Sequence, residues 1–263
     1  MSKDTSSLRP DPAAPPSKDG ARWEPLTAIA LTPLSFVVGE FIAAAVVGLF
    51  PHLLGWPTDQ ANAWLSSTAG QFVFVVLAEG LVLLIARSFI RWRKGTLADV
   101  GIYRKPQLYD AAVGIIAFAI YFVAVTLVLN WASSQLHVNI GQKQELGFDI
   151  VTGTTAKVMA FVSLVLLPPL VEEIMFRGFL FGSLRKKLPF AATTLLVSVI
   201  FASLHLLEGE GSGLLWVAGI DTFVLSLILC YVREKTGNIW AGMAVHMLKN
   251  GMAFLYLYVL VLH

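Results

Sequence analysis

Apolar residues gather into seven blocks along the chain, near residues 26–50, 63–90, 110–132, 154–183, 189–207, 214–233 and 239–262. A helix needs about 20 such residues to cross a hydrocarbon layer, and these blocks are of that order. Short polar or Gly/Pro-containing stretches such as "PHLLGWPTDQ" and "KTGN" divide them. Only "EGEGSG" parts the fifth block from the sixth. The pattern predicts an all-α fold, a polytopic transmembrane helical bundle of about seven spans occupying residues 25–263. Residues 1–24 are polar and rich in Pro, Ser and Asp, which predicts a disordered tail. They hold no apolar core followed by a small-residue cleavage site, so they do not read as a secretory signal.

Lys and Arg alternate with the spans. The tail carries Lys3, Arg9, Lys18 and Arg22, and the segment between the second and third spans carries Arg91, Arg93, Lys94, Arg104 and Lys105. Arg185, Lys186 and Lys187 follow the fourth span; Arg233 and Lys235 follow the sixth. The intervening segments hold only Lys143. By the positive-inside rule the N-terminus is expected in the cytoplasm and the C-terminus outside. The compact chain and short polar tail point to a bacterial inner membrane. No sequence repeat relates the two halves, which argues against a transporter built on inverted repeats.

Composition agrees: 56% of residues are hydrophobic, 14% are charged, and mean hydropathy is +0.72. A net charge of +2 without a basic stripe excludes nucleic acid as a partner. The lipid bilayer is the partner this composition demands. The single cysteine, Cys230, excludes an internal disulfide or a multi-cysteine metal site, and its apolar surroundings suit an inert thiol.

Against that background the polar residues inside the spans stand out: Glu40, Glu79, Glu172, Glu173, Arg177, His205, Asp221, His246, Lys249 and Asn250. A charge at the bilayer centre costs about 2.5–3.5 kcal/mol on insertion scales, so each needs a partner or a use. Glu173 and Arg177 are four residues apart with the acid first, the favourable order for an intrahelical ion pair. Glu172 points about 100° away and is left over. His246 and Asn250 share a helix face, as do Phe201 and His205. Counted from the basic ends, Glu172, His205, His246 and Asn250 fall roughly 16 to 27 Å deep, within reach of one layer. Pro168 and Pro169 remove two backbone donors, so the fourth span is expected to kink or restart there.

A carboxylate beside a histidine can orient and deprotonate a water, and a second His with an Asn one turn away can donate to an oxyanion. That is the equipment of a hydrolase without a nucleophilic side chain. Taken singly, each group could instead serve packing: a helix–helix ion pair, or a His bonded between helices.

"EEIMFR" (172–177), "FASLH" (201–205) and "HMLKN" (246–250), in this order, resemble the EExxxR, FxxxH and HxxxN boxes of the CAAX-protease and bacteriocin-processing family, also called Abi. The resemblance covers about residues 154–252. It implies an intramembrane endopeptidase similar to the type II CAAX prenyl proteases. Carried over, Glu172 and His205 activate water, His246 and Asn250 form the oxyanion hole, and Glu173 and Arg177 support the site. It implies no cofactor, and a membrane-embedded or lipidated peptide or protein as substrate. Lys249 lies outside the pattern; a helix–helix ion pair, with Asp221 at similar depth, is the plain expectation for it. Two alternatives stand. One is a zinc peptidase using His205, His246 and a glutamate, though no HExxH pair is present. The other is a non-catalytic scaffold or immunity protein of the same fold.

Overall fold

The computed structural model describes residues 23–142, 144, 146–148, 151–208 and 213–260. The tail expected over residues 1–24 therefore lies almost wholly outside the described residues, as do Lys143 and most of "EGEGSG".

Among the described residues six helices are long and apolar enough to cross a membrane. They are α1 (Pro25–Leu53), α3 (Thr68–Trp92), α4 (Leu108–Leu136), α5 (Gly153–Leu184), α7 (Trp216–Thr236) and α8 (Trp240–Leu260). The shorter apolar helix α6 (Phe190–His205) is the seventh member of the bundle. All seven predicted spans are present. The second is modified: residues 58–65 form a separate short helix, α2 (Thr58–Leu65). The break has a local cause. Ser67 caps α3, its Oγ accepting from Gly70 N at 3.0 Å, so the chain restarts instead of running on from residue 63.

The packing is inverted relative to a water-soluble bundle. Helix α1 buries Ala28, Thr32, Ser35, Gly39, Ala43 and Val47, while Leu34, Phe41, Leu49 and Leu53 face outward. Helix α4 buries Gly114, Ala117 and Ala132 and exposes Ile115, Ile116, Val123 and Leu127. Small residues inside let backbones approach, and large apolar ones meet lipid. At the α1–α3 crossing a Cβ on Gly39 would sit 2.9 Å from the Ala78 carbonyl oxygen, so only glycine fits. This is the packing of an integral membrane protein.

The N-terminal end of α1 is tied to α5. Trp23 donates from Nε1 to the Phe179 carbonyl at 3.2 Å, Ser183 Oγ donates to the Trp23 carbonyl at 3.1 Å, and the Trp23 and Phe179 rings stack at 4.5 Å. Lys187 pairs with Glu24 beside this clasp and holds its carboxyl below the usual range.

Helix α5 carries the first box, and it runs through the prolines without restarting. It widens. π-helical turns at Val162–Leu166 and Glu173–Leu180 flank a short α stretch, Leu167–Glu172, that holds Pro168 and Pro169. A proline lacks the N–H that would bond four residues back, and its ring crowds that carbonyl. Opening the helix to a five-residue hydrogen-bond step relieves the crowding without breaking the rod. Of the two expected disturbances the restart does not occur, so no helix begins beside Glu172.

Candidate active site

The EExxxR box is split by its helix geometry. Glu172 closes the α stretch and Glu173 opens the second π turn. Glu173 and Arg177 are both fully buried and paired, Nη1 to Oε1 at 3.0 Å, as their spacing predicts. The Arg177 guanidinium also lies 4.5 Å above the Phe201 ring, a cation–π contact that supports a charge far from water.

The same Glu173 oxygen has a second partner. His246 Nδ1 lies 3.2 Å from Glu173 Oε1, while its other nitrogen, Nε2, lies 3.7 Å from Glu172 Oε2. One imidazole therefore bridges the two adjacent glutamates. Because a carboxylate held by Arg177 accepts, Nδ1 carries a proton and Nε2 is the atom turned to Glu172. Glu172 differs from its neighbour in exposure, 14% against 0% for the Glu173 side chain, and in lacking an arginine partner; the Oε2 of each has no hydrogen-bond partner.

His205 ends α6. Its Nδ1 donates to the Phe201 carbonyl at 2.9 Å, since a carbonyl can only accept, and this leaves Nε2 with a free lone pair. Phe201 joins the histidines: its ring is 4.6 Å from His205 and stands edge-on to His246 at 6.0 Å. Asn250, one turn beyond His246, donates from Nδ2 to the Leu164 carbonyl at 2.8 Å. Helices α5, α6 and α8 thus supply all four predicted site residues.

Other polar and small residues complete the surroundings. Lys249 pairs with Asp221 at 3.2 Å, and Tyr121 donates to Asp221, so α8, α7 and α4 are tied beside the site. This is the ion pair expected for Lys249. Gly242, one turn before His246, faces Glu173: a Cβ there would stand 2.9 Å from Oε2. Glu79 of α3 is largely buried with Oε2 unpartnered, whereas Glu40 of α1 is exposed. Cys230 is a free thiol, fully buried. Among the described residues no three His, Cys, Asp or Glu side chains converge as a metal-binding set.

The sequence did not signal the roles of Phe201, Gly242 and the Leu164 carbonyl, although spacing holds a trace of each. Phe201 and Gly242 each lie four residues before a site histidine. Leu164 lies four and five residues before the two prolines.

Residues 154–252 match the family described as Type II CAAX prenyl endopeptidase Rce1-like. The matched stretch comprises α5, α6, α7 and the site-bearing part of α8. The chain is 27% identical over 222 residues to the Bacillus subtilis (strain 168) protein named "Putative membrane peptidase YdiL", covering 82% of this chain and 84% of that one. It is also 31% identical over 141 residues to "Uncharacterized protein YyaK" of the same organism, covering 52% of this chain and 44% of that one. No solved structure matches the chain significantly. The description of the matched family and the name of the first relative both denote peptidases.

Proposed function

We propose that the protein is an intramembrane endopeptidase that hydrolyses a peptide bond without a metal, using water activated by Glu172 and His205. One observation carries this reading. Each glutamate has an Oε2 without a hydrogen-bond partner, but Glu173 is committed through Oε1 to Arg177 and His246, whereas Glu172 is partly exposed and has no cation at hydrogen-bond distance, its Oε2 lying 3.7 Å from His246 Nε2. An unpaired carboxylate in the interior of a membrane bundle is costly, and proton abstraction from water is a use for it.

In the proposed reaction Glu172, aided by the His205 Nε2 lone pair, takes a proton from water as its oxygen attacks the peptide carbonyl carbon. Asn250 and His246 stabilise the oxyanion that forms. With Nδ1 donating to Glu173, His246 can donate from Nε2 to the oxyanion only as an imidazolium. The proton held by Glu172 passes to the leaving amine nitrogen as the C–N bond breaks. The substrate is a membrane-embedded or lipidated peptide, a class suited to a site opened among lipid-facing helices.

The test is cleavage of a fluorogenic farnesyl-cysteine tetrapeptide by the protein in liposomes, alongside N-terminal labelling of new protein ends in cell membranes. Wild type is expected to yield new ends that the Glu172→Gln variant does not, and its activity should persist in a zinc chelator. Identical sets of ends overturn the reading, and chelator-sensitive cleavage overturns its metal-free form.

The orientation proposed from the Lys/Arg alternation places the N-terminus in the cytoplasm of a bacterial cell and the inner membrane around the bundle. A reporter fused after Lys187 should read cytoplasmic and one after His263 external. A cytoplasmic signal from the latter would overturn this topology.

A further inference from the structure

Helix α5 contains one backbone carbonyl that neither helical hydrogen-bond pattern can satisfy. The Leu164 oxygen would take the N–H of residue 168 in an α-helix and of residue 169 in a π-helix. Both are proline. Leu167, the remaining nearby donor, bonds to the Val162 carbonyl instead. The Leu164 oxygen is therefore orphaned whichever way the segment winds, and the group that meets it is the Asn250 side-chain amide, at 2.8 Å across the α5–α8 interface.

We propose that Pro168 and Pro169 are positioning residues: by freeing the Leu164 carbonyl in both helical registers, they fix the orientation of the Asn250 amide. A primary amide can flip by half a turn and exchange a donor for an acceptor. Bonding Nδ2 to a carbonyl forbids the flip, because the swapped Oδ1 would face another oxygen. Of the two Nδ2 hydrogens one is used at Leu164, and the other keeps a set direction toward the site. Preorganised donors are what an oxyanion hole requires, since a donor that must reorient during the reaction loses most of its advantage. The same bond ties the helix that presents Glu172 to the helix that presents His246. The catalytic consequence rests on the proposed oxyanion role of Asn250. The coupling between prolines and amide does not.

The two parts can be tested separately. Thermal unfolding is measured for the full chain in detergent micelles as wild type, Asn250→Ala, Pro168→Ala and the double variant. Removing Asn250 strands the Leu164 carbonyl and should lower Tm by on the order of 5 °C. Pro168→Ala supplies the missing α-type donor, so in that background Asn250→Ala should lower Tm far less. Equal losses in both backgrounds would overturn the coupling. A second measurement needs no variant at position 168. With 15N-asparagine labelling, the Asn250 side-chain pair, assigned by its loss in Asn250→Ala, should show one hydrogen exchanging much more slowly than the other. Equal exchange would also overturn it.

On the farnesyl-cysteine tetrapeptide, Pro168→Ala should lower kcat toward the Asn250→Ala level with KM little changed, and should add nothing in the Asn250→Ala background. Coupled Tm values with no cleavage by wild type would refute the proposed activity and leave the positioning intact.

Discussion

Glu172→Gln is expected to yield a folded, membrane-inserted protein whose peptide cleavage falls by about 10²- to 10⁴-fold, the range a general base contributes. The fold should tolerate it because the Glu172 Oε2 makes no hydrogen bond that glutamine would forfeit, and the two side chains have the same shape. The rate should not, because an amide cannot take a proton from water. His205→Ala should cost a similar factor. If the two groups act on one water, the double variant should be scarcely worse than either single variant, as each already disables the step. Multiplying losses would separate the two residues, and an active Glu172→Gln would remove the base. Purified variants in liposomes, compared at equal protein and matched Tm, give the measurement.

The second large effect is on folding. Arg177→Ala leaves the fully buried Glu173 carboxylate with only His246 to face it, and breaking a buried pair costs about 3–5 kcal/mol. The variant should therefore lose most folded protein, read as membrane abundance and Tm, where Glu172→Gln does not. Gly242→Ala acts on the same carboxylate from the other side by crowding Oε2, so it should show a smaller loss of both stability and activity. Because buried pairs contribute little net stability over apolar replacements, Glu173→Gln with Arg177→Met should regain part of the lost abundance. It should stay impaired in cleavage, since His246 no longer has a carboxylate at Nδ1. Full activity in that double variant would show that Glu173 does not orient the histidine.

How much of this is legible in the sequence follows from what each signal measures. Hydropathy records how far apolar side chains run, so it located all seven spans; it is blind to a serine cap, so the break at Ser67 that separates α2 from α3 did not register. The four-residue spacing placed Glu173 against Arg177 because both lie on one helix. The contact of Glu173 with His246 spans 73 residues and depends on how α5 and α8 cross, which no spacing within a helix encodes. The two prolines announced a disturbance without its form. Whether a helix kinks, restarts or widens depends on the packing around it, and here the widened form lets Asn250 take up the stranded carbonyl.

The widened turns of α5 also bear on how this segment can vary among related chains. Relative to an unbroken α-helix, a π turn behaves as one extra residue absorbed without lengthening the rod by a full step. Two such turns bracket the prolines and the paired glutamates. A chain that lost one residue in 162–166 could relax to plain α-helix there, with the side chains on either side of the gap keeping their relative bearing around the axis. In homologues, therefore, a one-residue gap upstream of the paired acids should be accompanied by loss of one π turn. The acids then keep their bearing on α8, and the lipid-facing residues before the gap keep theirs.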